Sequence, residues 1–260
     1  MDLEQFLKPE LKYTFEGGKI FLSEPPQDIT SSRALPRNTW TTWRKNNFDY
    51  FFKHLSQEPK NMVLADIGAG DSHFREITSR FKTYLAIDFY PYELVNIICD
   101  ITKTLPLKDA SCDIVFMSNV LEHTPNPEFL LKECNRVLRP NGMIIGTVPF
   151  LRDIHQAPYD FFRYTHFMLE RMLKESDFKN RAVESLGNPL DIYQTMQQIF
   201  FGKLLKTEFS KNKFKNFLFK IIARLARKDF YLSSKFFGFV FKLAPASFEY
   251  TEGYGFKAYK

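Results

Sequence analysis

With 260 residues, 44% of them hydrophobic and 25% charged, the chain holds enough apolar material for one packed core with appended segments, which excludes disordered, collagen-like and disulfide-scaffold classes. Three cysteines, Cys99, Cys112 and Cys134, form neither a CxxC pair nor an even-numbered framework, so reduced thiols in a cytoplasmic compartment are expected and no metal centre is. The net charge of +6 is local: residues 201–245 carry 11 Lys and Arg against Glu208 and Asp229, a net +9, leaving −3 for the rest.

Residues 1–60 read as an N-terminal extension. Its first eight residues contain acids and no continuous apolar run, so no secretory signal is expected there. Gly17-Gly18 and Pro25-Pro26 punctuate residues 1–36, which predicts short strands or a hairpin. From Asn38 the pattern turns helical. Asn38 or Thr39 can cap, and Trp40, Trp43, Phe51, Phe52 and Leu55 recur at spacings of three and four before Pro59, predicting a lid helix over the segment that follows.

Residues 61–188 alternate short apolar runs with polar or amphipathic stretches, the sequence form of βαβ units around a parallel sheet. Strands are expected at 62–66, 84–88, 95–99, 113–118 and 143–148, with a sixth near 182–186. Only Phe89 to Leu94 separates the second strand from the third, so the helix there should be one turn or missing. Residues 128–138 predict an amphipathic helix with Phe129, Leu130, Val137 and Leu138 inward, ended by Pro140-Asn141-Gly142. The fold class is α/β, doubly wound.

Residues 189–246 form a basic, Phe-rich segment, and 201–245 hold ten of the 29 Phe. Phe214, Phe217, Leu218, Ile221, Ile222 and Leu225 fall on one helical face, with Lys213, Lys215, Lys220, Arg224, Arg227 and Lys228 over the remainder. Phe236 to Phe241 is apolar on nearly all sides, yet at six residues it is far short of the roughly 20 that a membrane span needs. Two uses fit: a helix pair packed on the core or on a second subunit, or peripheral attachment to an anionic membrane surface. Nucleic acid comes second among charged partners. Aromatic alternation over residues 247–260 predicts a terminal strand.

The chemistry concentrates at the ends of the predicted strands. Val63 to Asp66 is an apolar run entering Ile67-Gly68-Ala69-Gly70, where two glycines permit a tight turn and close approach of a ligand to the backbone. A plain strand-to-helix turn would look the same, but 18 residues beyond Gly70 the next strand ends in Asp88, placed to accept hydrogen bonds from ribose hydroxyls. The third strand ends at Asp100-Ile101 and the fourth at Ser118-Asn119. A nicotinamide fingerprint would need glycine at position 73, and His73 stands there, which disfavours an oxidoreductase.

From Asp66 to Pro149 the chain resembles the class I S-adenosylmethionine-dependent methyltransferases of the type 11-like branch. Asn119-Val120-Leu121-Glu122-His123 and Arg136-Val137-Leu138-Arg139-Pro140-Asn141-Gly142 carry the likeness over about 90 residues. The resemblance implies a seven-stranded Rossmann-like sheet, a helical insertion before the last antiparallel strand, and S-adenosyl-L-methionine as cofactor. It implies that Asp66, Gly68 and Gly70 line the methionine portion, Asp88 holds the ribose, Asp100 and Ile101 border the adenine, and Ser118 closes the pocket floor. Ser72 stands where many relatives carry a third glycine.

Methyl transfer to a hydroxyl needs an oriented acceptor and a base. His123 suits proton removal, or it merely packs the Thr124-Pro125 turn; the residues favour neither. Downstream, His155, Pro158, Asp160, Arg163 and Thr165 look like the H-x-x-P-x-D-x-x-R-x-T segment of a methyltransferase subgroup associated with surface polysaccharide and glycolipid synthesis. Tyr159 stands where relatives often have a second His. Asp160 and Arg163 can equally pair with each other, and Thr165 can cap a helix that continues through Phe167, Leu169, Met172 and Leu173. The expected activity is O-methylation of a saccharide or lipid-linked acceptor at the inner membrane face. RNA or small-metabolite methylation and a non-catalytic cofactor-binding scaffold are the alternatives, and an oligomer is compatible with each.

Overall fold

A computed structural model describes residues 2–25, 36–71, 73–208, 211–242 and 249–260. In chain order its strands are β1 Thr14–Glu16, β2 Lys19–Phe21, β3 Val63–Ile67, β4 Thr83–Asp88, β5 Ile97–Ile98, β6 Cys112–Ser118, β7 Leu138–Pro149, β8 Lys179–Leu186 and β9 Gly253–Tyr259. The helices are α1 Thr42–Leu55, α2 Arg75–Thr78, α3 Pro127–Val137, α4 His166–Glu175, α5 Pro189–Lys206 and α6 Lys213–Lys242. One sheet runs in the order β1-β2-β5-β4-β3-β6-β7-β9-β8. From β2 to β7 neighbouring strands are parallel, whereas β9 is antiparallel to both β7 and β8.

Alternating side chains divide the core between the two sheet faces. Leu64, Ile114, Phe116, Met143 and Ile145 pack with Trp40, Trp43, Phe51 and Leu55 of the α1 region. Val63, Ala65, Val115, Met117 and Ile144 pack on the other face with Leu130, Leu131 and Val137 of α3 and Leu169, Met172 and Leu173 of α4. Helices on both faces of a mostly parallel sheet make the doubly wound α/β class.

Nine strands replace the expected seven among the described residues, because the N-terminal hairpin joins the sheet. Gly17 and Gly18 turn it with φ of 57° and 79°, and β2 lies parallel to β5, with Ile20 opposite Ile97. This is the hairpin that Gly17-Gly18 predicts; its place in the sheet depends on the distant β5, which strands of three residues do not announce. No helix forms between β4 and β5; instead Lys19 Nζ donates to the carbonyls of Tyr92, Glu93 and Val95 at 2.6, 3.1 and 2.6 Å. The hairpin thus satisfies carbonyls that a helix would have used.

Several expected boundaries shift. Helix α1 is capped by Thr41, whose hydroxyl accepts from Arg44 N at 3.3 Å, and Asn38 and Thr39 belong to a preceding 3-10 turn. Helix α3 passes directly into β7, so Pro140-Asn141-Gly142 lies within the strand, with Asn141 at φ 64°. Leu131 and Cys134 take the inward places beside Leu130 and Val137, while Phe129 is half-buried. Thr165 caps α4, which runs through Phe167, Leu169, Met172 and Leu173 as expected; Phe167 is 72% exposed, about 160° around the helix from the buried Leu169.

Helices α5 and α6 lie between β8 and β9 in the chain. Asn188 and Asp191 form a capping box at the start of α5, and the fully buried Glu252 accepts from Thr195 Oγ1 and from Asn46 Nδ2, tying α5 and α1 to the entry of β9. Tyr193 stacks on Phe230 of α6 with ring centroids 5.5 Å apart. Ala223 is buried on that packed side. The predicted apolar stripe faces the other way: Phe214, Phe217, Leu218, Ile222 and Leu225 are all exposed, and Ile221 is half-buried. Of the cluster Phe236 to Phe241, the side chains of 237, 239, 240 and 241 lie outside the described residues, as do Ser72 and Phe209. Among the described residues no helix is long and apolar enough to cross a membrane.

Candidate active site

Parallel register brings the ends of β3, β4, β5 and β6 to one edge, with Asp66 opposite Ala86 and Phe116, and Asp88 opposite Ile98. The glycine loop leaves β3 there. Gly68 N donates to Ile87 O at 2.8 Å, and Gly70 N donates to the Asp88 carboxylate at 2.8 Å, so the loop is fastened to the adjacent strand. Gly68 adopts φ 72°, and a Cβ on it would lie 2.7 Å from Val120 Cγ2; Gly70 adopts φ 51°, and a Cβ on it would meet only the Gly68 carbonyl oxygen, at 4.0 Å. Only glycine fits the first position without displacing Val120.

The carboxylates at this edge are held in three different ways. Asp66 is buried, its Oδ2 accepts from Tyr84 Oη at 2.7 Å, and burial pushes its pKa to about 7 despite that bond. Burial also raises Asp88, against hydrogen bonds from the Tyr90 and Gly70 amides. At Asp100 partial burial is outweighed by Thr102, whose N and Oγ1 donate at 3.1 and 2.6 Å, and by Lys103, so this carboxyl is lowered. Ile101 packs against the core beside it, and Ser118 ends β6 with its hydroxyl 3.3 Å from Asn119 Nδ2. His73 lies beyond the loop, where burial lowers its imidazole to about 4.

Val120 links this loop to the second half of the site. From it the chain enters a 3-10 turn, Leu121–His123, preceded by Asn119 at φ 56°. The Glu122 carbonyl accepts from the amides of Phe161 and Phe162 at 2.8 and 3.3 Å, which stitches the segment after β7 onto the turn. His123 and His155 consequently meet edge to face, with ring centroids 4.9 Å apart. Asp160, its side chain 1% exposed, receives both Nη atoms of Arg163 at 2.6 and 2.8 Å and the His155 amide at 2.8 Å. The Arg163 bonds hold its carboxyl far below the usual range.

The imidazoles have defined tautomers. His123 Nδ1 lies 2.6 Å from the Tyr159 carbonyl, and His155 Nδ1 lies 3.1 Å from the Asp153 carbonyl, nearer than Arg163 Nη2 at 3.5 Å. A carbonyl only accepts, so each Nδ1 carries the proton and each Nε2 keeps its lone pair. Burial lowers His123, which keeps that ring neutral at pH 7. Both Nε2 atoms converge on Glu122 Oε1, at 3.8 and 4.0 Å. Glu122 is fully buried, neither carboxylate oxygen has a hydrogen-bond partner, and burial pushes it to about 8.

Every residue singled out in the sequence as catalytic therefore falls in one cluster, and the expected cofactor residues fall along the sheet edge that Val120 joins to it. Tyr84 and Glu122 were not singled out. Glu122 stands within the Asn119–His123 motif, and its polar type between Leu121 and His123 gives no sign of complete burial.

Residues 65–146 match the methyltransferase domain family. The chain is 30% identical to ribosomal RNA-processing protein 8 of Rattus norvegicus over 125 residues, which are 48% of this chain and 26% of that protein. It is 40% identical to a malonyl-[acyl-carrier protein] O-methyltransferase of Marinomonas over 108 residues, 35% of this chain and 40% of the relative. The chain thus spans well under two thirds of these relatives. Among solved structures, it shares the fold of the [4+2]-cyclase SpnF, with TM-score 0.53, 16% identity and coverage of 82% of this chain and 79% of that one. It also shares the fold of Haemonchus contortus phosphoethanolamine N-methyltransferase 2 in complex with S-adenosylhomocysteine, with TM-score 0.52, 15% identity and coverage of 84% and 52%.

Proposed function

We propose that this chain, which carries a methyltransferase domain dependent on S-adenosylmethionine, O-methylates a saccharide or lipid-linked acceptor at the cytoplasmic face of a membrane. The observation that carries the reading is the junction at Val120: a glycine loop fastened to the Asp88 carboxylate on one side and two imidazoles with bare Nε2 atoms on the other.

The residues suit the cofactor. At Gly70 a Cβ would touch nothing nearer than the Gly68 carbonyl oxygen at 4.0 Å, leaving the backbone approachable, and the carboxylates of Asp66, Asp88 and Asp100 stand along the same strand ends. Gly68, Gly70 and Asp66 would line the methionine portion, Asp88 the ribose, Asp100 and Ile101 the adenine, and Ser118 the floor. Bound there, S-adenosylmethionine supplies an electrophilic methyl group on a sulfonium. His123 or His155 accepts the acceptor hydroxyl proton at Nε2, and the Asp160–Arg163 pair holds the His155 segment in place.

The acceptor class is supported by α6. At 100° per residue, Lys213, Lys220, Arg224, Arg227, Lys228 and Lys235 form a basic band beside the exposed stripe of Phe214, Phe217, Leu218, Ile222 and Leu225. An apolar stripe flanked by cations suits an anionic interface, where a lipid-linked acceptor resides. The likeness to an rRNA-processing protein favours RNA as the second reading.

Incubation with methyl-labelled cofactor, separately with lipid-linked glycans and with RNA, tests the proposal. Label is expected in the glycan fraction and absent with His123→Ala; label in RNA alone overturns the acceptor, and label in neither fraction overturns both readings.

A further inference from the structure

We propose that Glu122, His123 and His155 form a three-ligand site for a divalent transition metal ion of the zinc class. Their ligand atoms lie within 4.8 Å of one another, with 3.8 and 4.0 Å from the carboxylate oxygen to the two Nε2 atoms. Ligand bonds of about 2.1 Å in a tetrahedral shell set neighbouring ligand atoms about 3.4 Å apart, so each carboxylate–imidazole pair needs to close by roughly half an ångström, and the two imidazoles, bounded at 4.8 Å, by at most about 1.4 Å.

Three independent features point to an ion. A fully buried carboxylate with two unpartnered oxygens is costly, and a cation removes that cost. Both imidazoles already turn bare Nε2 atoms inward because backbone carbonyls hold their Nδ1 protons, which is the outer-shell arrangement that orients metal-ligating histidines. The ligand set is two nitrogens and one carboxylate oxygen on two segments locked together by the Glu122 carbonyl, which receives the Phe161 and Phe162 amides, and by Tyr164 Oη, which donates to the Leu121 carbonyl at 2.9 Å. That composition leaves a coordination position for an external oxygen.

The assignment goes beyond methyl transfer and stands on ligand geometry alone. Its role toward an acceptor rests on the reading above and would replace the imidazole base there: with both Nε2 atoms on the ion, a hydroxyl bound to it would release its proton to solvent more readily. Cysteine spacing gave no indication of such a site, because no sulfur takes part; all three cysteines are buried elsewhere in the core.

Calorimetric titration of the chelator-treated full chain with Zn2+ tests the site without cofactor or acceptor, so its outcome is separate from that of the methyl-transfer reading. One ion per chain is expected, with affinity reduced at least tenfold in Glu122→Gln and in His155→Ala and unchanged in His54→Ala. Co2+ should give visible d–d absorption that both site variants lose. Circular dichroism identifies any variant that fails to fold, and His155, 33% exposed at its side chain, is the safer one. Absence of saturable binding by the parent chain, or equal binding by both folded site variants, overturns the proposal.

Discussion

Asp66 illustrates how little of a residue's chemistry its position in a motif conveys. The sequence places it at the end of an apolar strand before two glycines; the fold buries it and gives it Tyr84 as a hydrogen-bond partner across β3 and β4. Because its folded pKa is raised to about 7 from the usual carboxylate range near 4, the folded state keeps a proton that the unfolded chain has released. The contribution of this group to stability is therefore full below about pH 4 and is lost as pH rises toward 7. Asp66→Asn removes that dependence. Urea unfolding at pH 5 and pH 7.5 should show a smaller fall in stability for the variant than for the parent chain; equal falls would mean that Asp66 is not protonated in the folded state.

At the scale of elements, the segment between β7 and α4 has no regular structure of its own, and side-chain bonds shape it. Arg163 reaches Asp160, the Phe162 carbonyl and the Asp153 carbonyl, while Lys203 of α5 bonds Asp153 at 2.9 Å. Asp160→Ala leaves the guanidinium without its carboxylate and releases the His155 amide, at an expected cost of about 3 kcal/mol. Arg163→Lys keeps the charge but not the two-pronged bond, and should cost less. Denaturant unfolding ranks the two; an Asp160→Ala midpoint equal to that of the parent would show the clamp to be dispensable. The pairing of 160 with 163 was readable from spacing. Its burial beneath the Leu121–His123 turn was not, since nothing local in the sequence says that the Glu122 carbonyl receives the amides of Phe161 and Phe162.

For the whole molecule, the question is why a chain keeps a stripe of large apolar side chains in water. Helix α6 packs on α5 through Phe230, which meets Tyr193 and Phe201, and Ala223 is buried, so the broad face that the sequence marks as apolar is the one turned outward. Exposed patches of this kind mark interaction surfaces. Flotation with vesicles containing anionic lipid should carry the chain upward, and neutral vesicles should carry less of it, since the basic band adds about 1 kcal/mol per cation near an anionic surface. Phe217→Glu, at a position 59% exposed, should abolish flotation without altering unfolding. Equal flotation of the variant would assign binding to another surface.

Strand and helix periods, the glycine loop, the acidic strand ends and the catalytic candidates were all legible in the amino-acid order, because each depends on neighbours within a few residues or on a fixed alternation of element types. The tertiary structure alone decided what depends on distant partners: the pairing of the N-terminal hairpin with β5, which lengthens the sheet, the outward turn of the α6 stripe, and the convergence of Glu122, His123 and His155. Burial and ligand geometry arise from segments tens of residues apart meeting at one sheet edge, and no local pattern encodes which of them will touch.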